Sequence, residues 1–206
     1  MGGLWNVNAV SIATAAGFAA DPMAVWRVFA PLRARARDAQ PNAAHIALAR
    51  LEAKSSGSMT CIAPNVDGLH QRAGSTNLIE LHGNLHHNRC SNSACELERF
   101  EDDSAPDVLP RCSRCQAPLR PDIVLFDEPL DGGVEWHAKR ALRDCDLFVA
   151  VGTSGTVSPA ANFVRSAEYA GARTVLVNAT AMAPPNPAFQ EQILGRAEEL
   201  LPSLLR

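Results

Sequence analysis

The chain has 206 residues, of which 47% are hydrophobic and 20% are charged, a composition that suits one globular domain of moderate size with a small insertion. A formal net charge of -3 provides no basic field for a nucleic acid, so direct nucleic-acid binding is not expected. No apolar run approaches the roughly 20 residues of a membrane span and no signal peptide is recognised, which together favour a cytoplasmic protein without membrane contact.

Apolar residues at helical spacing dominate residues 24–53 and predict helix there, with a fresh start at Pro41, which suits a first helical turn. Arg33, Arg35 and Arg37 alternate with alanines in this stretch. On a helix these arginines fan over the surface, so we expect a solvated face and not a binding patch.

A short apolar strand is predicted over residues 59–62, and the polar run Asn65-Val66-Asp67-Gly68-Leu69-His70 follows it. In open α/β sheets, ligands bind beyond the carboxyl ends of parallel strands, which makes this run a candidate site. An Asn-x-Asp sequence after a strand also suits an ordinary Asx turn.

Two close pairs of cysteines lie in the middle of the chain, sixteen residues apart: Cys90 with Cys95 (C-x4-C) and Cys112 with Cys115 (C-x2-C). Each pair can place two thiolates on a tight turn, and two such turns supply the four sulfur ligands of a structural zinc site. With four protein ligands no position remains for water, so the metal should fix a small lobe. The alternatives are four incidental loop cysteines or a disulfide framework, and Cys61 and Cys145 in apolar runs are expected to be buried free thiols.

Beyond the cysteines, the pattern predicts a strand over 122–126, a helix over 136–142 and a continuously apolar strand over 147–151 that should be buried on both faces. That last strand leads into Gly152-Thr153-Ser154-Gly155-Thr156. Ser158-Pro159 then suits a helix start, with a capping hydroxyl and a proline at the first helical position. A strand over 174–177 ends in Asn178 and completes a β-α-β unit. The glycine-serine loop suits a docked phosphate or ribose, and it equally suits an ordinary turn.

Taken in order, these segments resemble the sirtuins, a family of NAD-dependent protein lysine deacylases. The run from Asn65 to Gly74 is similar to the family's nicotinamide-ribose segment, and Glu80-Leu81-His82-Gly83 to its catalytic histidine motif. The cysteine pairs follow, and Gly152-Thr153-Ser154 resembles the adenosine-side motif. Even Gly2-Gly3-Leu4-Trp5 at the start is similar to a family segment, so the resemblance covers nearly the whole chain.

The resemblance implies an α/β fold with a Rossmann-like parallel sheet and helices on both faces, in a domain of residues 1–87 and 120–206, plus a zinc-ribbon lobe over 88–119. NAD and an acylated-lysine protein or peptide would meet in the cleft between them. The implied roles are the following: His82 as general base, Asn65 positioning ribose and water, Asp67 holding the nicotinamide carboxamide, Gly152, Thr153, Ser154 and Asn178 binding the cofactor, and Cys90, Cys95, Cys112 and Cys115 binding zinc. His86 and His87 are expected to be surface residues.

The chain departs from the family pattern in several places. The first strand, the glycine-rich GAGxS loop and the GIPxFR segment are not found, and loss of a central strand should expose ladder edges and favour oligomer contacts. Ala63-Pro64 stands where the family has Thr-Gln, and Asp127 where a glycine precedes Glu128.

Acyl specificity is addressed by two further positions. Phe29 and Leu32 occupy the places of a Tyr-x-x-Arg pair that recognises acidic acyl groups in some sirtuins, so succinyl and malonyl groups are disfavoured.

Three hypotheses follow from this pattern. The chain is a working deacylase, with the missing strand supplied by another chain or lost at a misplaced start site. Alternatively it is a catalytically impaired sirtuin fragment, or a zinc-containing interaction module.

Overall fold

The computed structural model describes residues 7–56 and 58–205 of the chain, and the segment Gly2-Gly3-Leu4-Trp5 lies outside them. The helices are Val7–Ile12 (α1), Ala15–Ala20 (α2), Pro22–Asp38 (α3), Ala43–Lys54 (α4), Leu69–Ala73 (α5), Gly132–Arg143 (α6), Phe163–Tyr169 (α7) and Ala197–Leu204 (α8). The strands are Cys61–Ala63 (β1), Leu78–Glu80 (β2), Gly83–Cys90 (β3), Phe100–Glu101 (β4), Leu119–Ile123 (β5), Leu147–Val151 (β6), Arg173–Asn178 (β7) and Glu191–Leu194 (β8).

The described strands form three sheets, in the orders β1-β2, β4-β3-β5 and β6-β7-β8. The pairs of β3 are antiparallel, whereas β6, β7 and β8 are parallel to their neighbours. Parallel strands joined through a helix, as β6 and β7 are through α7, confirm the predicted α/β class with a β-α-β unit.

The chain divides into two compact units: one of residues 1–40, 63–69 and 80–130, and one of residues 41–62, 70–79 and 131–206. The predicted domain boundaries, 1–87 with 120–206 and 88–119, are drawn differently and stay a prediction.

The first unit has its core between α3 and the β4-β3-β5 sheet. Val25 and Phe29 of α3 pack with Leu85 of β3 and Ile123 of β5, and all four are at most 4% exposed. Asp21 begins α3, because its carboxylate accepts a hydrogen bond from the Ala24 amide at 3.0 Å, as an N-cap residue does.

Arg33 overturns the prediction of a solvated arginine face on this helix. Arg35 and Arg37 are exposed, but Arg33 is only 1% exposed and its guanidinium donates to Asn88 Oδ1 at 2.7 Å and to the Ser104 carbonyl at 3.0 Å. It also lies over the Trp26 ring, 5.0 Å from the ring centroid. The burial of Arg33 depends on the residues that pack against α3. The alternation of arginines with alanines does not predict which residues those are.

The second unit has its core on one face of the parallel sheet. Val175 and Val177 of β7 pack against Ala44 and Ala47 of α4 and Leu201 of α8. The helix α4 starts at Ala43 behind Asn42, whose side chain accepts from two backbone amides in a capping box, and not at Pro41 as predicted.

Strand β6 has the predicted bounds, but the prediction that both of its faces are buried is wrong. Leu147 is 53% exposed and Val149 is 38% exposed. The physical reason is position, because among the described strands β6 pairs with β7 alone and is the edge of its sheet.

Candidate active site and zinc centre

The polar run after β1 is fixed by a ladder of bonds to the chain that follows β2. The Leu81 amide donates to the Ala63 carbonyl at 2.9 Å, and the Leu85 amide donates to the Val66 carbonyl at 2.8 Å. Residues 64–67 therefore lie alongside 82–84, and Asn65 and Pro64 are exposed on this segment. Local folding alone brings the predicted catalytic and nicotinamide-side residues into one region.

His82 is held in a defined tautomer by this ladder. Its Nδ1 atom lies 2.8 Å from the Pro64 carbonyl oxygen. A carbonyl oxygen only accepts, so Nδ1 carries the ring hydrogen in the neutral imidazole and Nε2 keeps its lone pair. The second ring nitrogen is therefore a base.

The glycine after His82 is required by close backbone approach. Gly83 has φ +82, and a Cβ there would stand 2.1 Å from the Asp122 carbonyl oxygen of β5. The Val124 amide donates to the His82 carbonyl at 2.9 Å. This bond ties the residue before β3 to the residue after β5.

Asp67 forms the Asx turn that the sequence also suggested. Its Oδ1 atom accepts from the Leu69 amide at 3.0 Å, and Gly68, with φ +68, completes the turn into α5. The Asp67 residue is half-buried.

His86 and His87 are not the surface residues predicted. The side chain of His86 is 12% exposed and hydrogen-bonded on both nitrogens, to Asp103 and to the Asp67 carbonyl. The Nδ1 atom of His87 is buried without a hydrogen-bond partner among the described residues. The sequence did not predict this burial, because the contacts of His86 are with Asp67 and Asp103, which are distant along the chain.

The residues predicted to bind the adenosine side of the cofactor lie together at the carboxyl ends of β6 and β7, where the β-α-β unit places them. The Gly152 amide donates to the Val177 carbonyl at 2.9 Å, and Asn178 Nδ2 donates to the Thr153 carbonyl at 3.1 Å. Gly152 has φ +64, and a Cβ there would meet nothing within 4 Å, so the loop borders open space. Ser154 is exposed and its hydroxyl lies 2.8 Å from that of Thr156.

Ser158 does not cap a helix as predicted. The chain passes through a 3-10 turn, residues 160–162, before α7 begins at Phe163, and the N-cap of that turn, Pro159, makes no side-chain cap hydrogen bond. A helix of seven residues behind such a turn adds no anion site to the Gly152–Ser154 loop.

The four predicted zinc ligands converge within the first unit. All four Sγ atoms lie within 4.8 Å of one another, with Cys90 and Cys115 3.5 Å apart and Cys95 and Cys112 3.6 Å apart. Four sulfurs at about 2.3 Å from one tetrahedral zinc ion would be about 3.8 Å apart, so the thiols fit this metal. Both turns are bonded: the Cys95 amide donates to the Asn92 carbonyl at 3.0 Å, and the Gln116 amide to the Cys112 carbonyl at 2.9 Å.

The two remaining cysteines are half-buried free thiols. Burial, reinforced by the nearby Glu52 charge, raises the pKa of the Cys61 thiol to about 11. Burial also raises the pKa of Cys145. Neither is a thiolate at neutral pH, and the predicted burial of these free thiols is only partial.

The sequence analysis did not predict a salt bridge at β5, between Arg120 and Glu128. Arg120 is 7% exposed and binds both oxygens of Glu128, at 2.6 and 2.8 Å. Between them, Asp127 has φ +67, a left-handed conformation that explains why the family has glycine at this position. Burial opposes ionisation of Glu128, but bonds from Arg120 and the Leu125 amide outweigh it and lower its pKa.

Comparison with known proteins agrees with the geometry. The family model described as "Sir2 family" matches residues 1–159. The chain is 41% identical over 208 residues to an NAD-dependent protein deacylase of Vibrio parahaemolyticus, covering 98% of this chain and 84% of the relative.

Solved structures give the same result. A Sir2 homologue in complex with NAD matches with a TM-score of 0.86 and 38% identity, over 96% of this chain and 76% of that one. A Sir2 protein bound to a myristoylated histone peptide matches with a TM-score of 0.77 and 35% identity, over 94% of this chain and 82% of that one. The chain therefore belongs to the Sir2 family, and its α/β fold is the Rossmann-like fold of that family.

Proposed function

We propose that the chain is an NAD-dependent protein lysine deacylase, which transfers the acyl group of an acylated lysine to ADP-ribose with release of nicotinamide. The observation that carries the proposal is the 2.8 Å hydrogen bond between His82 Nδ1 and the Pro64 carbonyl. It leaves Nε2 as an oriented base in the motif where Sir2 proteins have their catalytic histidine.

The residues present fit the cofactor in two places. Around Asn65 and Asp67, an exposed amide and a half-buried carboxylate suit the ribose and the carboxamide of nicotinamide. At Gly152, Thr153 and Ser154, a loop bordering open space offers hydroxyl and amide donors to the adenosine side, with Asn178 bonded to the loop. When bound, NAD would supply the ribose carbon from which nicotinamide leaves as the acyl oxygen attacks, and the ribose hydroxyl that receives the acyl group.

The chain's own contribution to the chemistry is proton transfer. His82 Nε2 takes up the proton of a hydroxyl, a step that a placed general base typically accelerates about 10²–10⁴-fold. The replacement of a family glutamine by Pro64 leaves this intact, because the acceptor for His82 is a backbone carbonyl that proline retains. Zinc, bound by Cys90, Cys95, Cys112 and Cys115, has a structural role only.

We infer further that the enzyme acts on neutral acyl groups and not on acidic ones. Phe29 is 1% exposed in the core and has no hydroxyl, and Leu32 packs against the same core. Arg33, the nearest positive charge in sequence, is buried and committed to Asn88. Measured turnover of a succinylated peptide at or above that of its acetylated counterpart would contradict this inference.

The function is tested by titrating the chain with NAD by calorimetry and by measuring nicotinamide release from an acetyl-lysine peptide. We expect saturable binding and release that is lost in His82→Ala and retained in His137→Ala, a matched exchange at an exposed histidine of α6. No binding at millimolar NAD would overturn the proposal.

A second candidate, a catalytically impaired zinc-containing interaction module, is favoured by the exposed edge of β6, where Leu147 is 53% exposed. It predicts concentration-dependent association without NAD binding. An oligomer formed at this edge, the domain boundaries 88–119, a cytoplasmic location and the absence of nucleic-acid binding all stay predictions. Among the described residues, none of the helices is long and apolar enough to cross a membrane.

A further inference from the structure

A half-buried histidine, hydrogen-bonded to an aspartate, lies directly behind the segment proposed to bind nicotinamide. His86 of β3 bonds through Nδ1 to the Asp103 carboxylate, and its Nε2 atom lies 3.1 Å from the Asp67 carbonyl oxygen. Both partners are oxygen atoms that accept hydrogen bonds, and the two ring nitrogens of His86 face one each. His86 thus joins Asp103 to the backbone of the Asp67 turn.

The ring also fills the space under that turn. A Cβ on Gly68 would lie 2.9 Å from His86 Cδ2, so the backbone at Gly68 rests on the imidazole edge. Asn84 supports the same contact from the side: its Oδ1 atom accepts from the His86 amide at 2.9 Å, and its Nδ2 atom donates to Glu80 at 2.5 Å.

Asp103 is held in place by the β3–β4 pairing. The Asp102 amide donates to the His86 carbonyl at 2.8 Å, and the Asp102 carboxylate accepts from Asn88 at 2.7 Å and from the Ser104 amide at 2.8 Å. The carboxylate of Asp103 is therefore presented to His86 by a segment that lies between Cys95 and Cys112.

We infer that His86, fixed by Asp103, is a positioning residue that holds the Asp67–Gly68 turn and so sets the site for the nicotinamide end of NAD. The expected effect on NAD binding rests on the proposed function. The support that His86 gives to the turn does not depend on NAD. His86 touches no reacting atom. It acts through the backbone of Asp67, whose carbonyl is its acceptor.

The first measurement is amide hydrogen exchange of the zinc-loaded, NAD-free protein. His86→Leu removes both hydrogen bonds of the ring. Exchange at the Leu69 and Leu85 amides that close the turn should then rise by up to about tenfold, as loss of the one hydrogen bond to the Asp67 carbonyl implies. His87→Gln, an exchange at the neighbouring histidine, should leave those two amides unchanged. Unchanged exchange in His86→Leu with the native fold retained would overturn the inference.

The second measurement is calorimetric affinity for NAD together with kinetics on an acetyl-lysine peptide. His86→Leu should weaken NAD binding and raise the KM for NAD about tenfold, with the KM for peptide and the zinc content unchanged. Asp103→Asn keeps an oxygen acceptor for Nδ1, so this variant should retain most of the parent chain's affinity for NAD. Equal losses of affinity for NAD and peptide would contradict a positioning role.

The two measurements separate the failures. If the parent chain binds no NAD, the proposed function falls while hydrogen exchange still decides whether His86 supports the turn. If the parent chain binds NAD and His86→Leu changes neither amide exchange nor the affinity for NAD, the inference is wrong and the proposed function stands.

Discussion

The Pro64 carbonyl oxygen and His82 Nδ1 lie 2.8 Å apart, so a residue that departs from the family pattern supplies the contact that orients the proposed base. The side chain lost with the family glutamine is not needed for this contact, because the acceptor belongs to the backbone. Proline also favours an extended conformation at Ala63, whose carbonyl accepts from Leu81 at 2.9 Å. The substitution and the histidine are therefore compatible.

Gly83→Ala should destabilise the protein and abolish the activity. A Cβ would meet the Asp122 carbonyl oxygen at 2.1 Å, and φ +82 adds left-handed strain, so strand β3 has to separate locally from β5. We expect a loss of about 2–4 kcal/mol in the free energy of unfolding, measured by urea denaturation. Gly171→Ala, at φ +85 with nothing within 4 Å, isolates the conformational part and should cost about 1 kcal/mol. Equal losses in the two variants would refute the steric argument.

Asp127→Gly should stabilise the protein. Asp127 has φ +67, and a non-glycine residue held in this region costs about 1–2 kcal/mol, partly offset by the greater entropy of glycine in the unfolded chain. The expected gain is about 0.5–1 kcal/mol in thermal or urea unfolding. Asp127→Ala keeps a Cβ and should give no such gain. A less stable glycine variant would show that the aspartate side chain makes a compensating contact.

Removal of zinc should unfold the cysteine lobe. Metal-binding energy in such lobes is largely folding energy, so Cys112→Ser, at a fully buried thiol, should lose the metal and expose residues 88–119 to proteolysis. The free thiol Cys145 provides the control, and Cys145→Ser should retain one zinc per chain by atomic absorption. An unchanged proteolysis pattern after complete chelation would rule out a structural zinc.

Glu52 should make stability depend on pH in the acid range. Its Oε1 atom accepts from the Thr76 hydroxyl at 2.7 Å and from the Thr76 and Asn77 amides at 2.8 and 2.7 Å. These bonds, led by that of the Thr76 hydroxyl, lower the pKa of Glu52 below its usual value. A lowered folded-state pKa contributes stability above the unfolded value, near 4.3, that is lost as the pH falls through the folded value.

The matched variant is Glu52→Gln, which keeps the shape and loses the charge. At pH 7 it should be about 1–3 kcal/mol less stable than the parent chain, because three bonds to a charged acceptor become bonds to a neutral one. The difference should shrink as the pH is lowered through the folded-state pKa of Glu52. A difference that is constant from pH 7 to pH 2 would show that ionisation of Glu52 does not stabilise the fold.

Much of this site followed from local sequence. The cysteine spacing predicted the metal cluster, and the loop after β6 was placed beside Asn178 because parallel strands end at one edge of a sheet. These features depend on residues close in sequence or on one topological rule. The bounds of β6 were also correct, since its five apolar residues lie between Asp146 and Gly152.

What the sequence did not predict depends on contacts distant along the chain. Arg33 is buried and donates a hydrogen bond to Asn88, 55 residues away. His86 is half-buried between Asp103 and Asp67. The exposure of Leu147 depends in the same way on which strands pair with β6, not on its own composition. Periodicity contains no information about such partners.

The central claim, an acyl transfer that depends on His82, is tested most directly by counting products in one reaction. With an acetyl-lysine peptide and NAD, we predict that the parent chain forms nicotinamide and deacetylated peptide in equal amounts, and that His82→Ala forms the deacetylated peptide at least about 100-fold more slowly. Deacetylation at the parent rate in His82→Ala, or none in the zinc-loaded parent chain, would contradict the account.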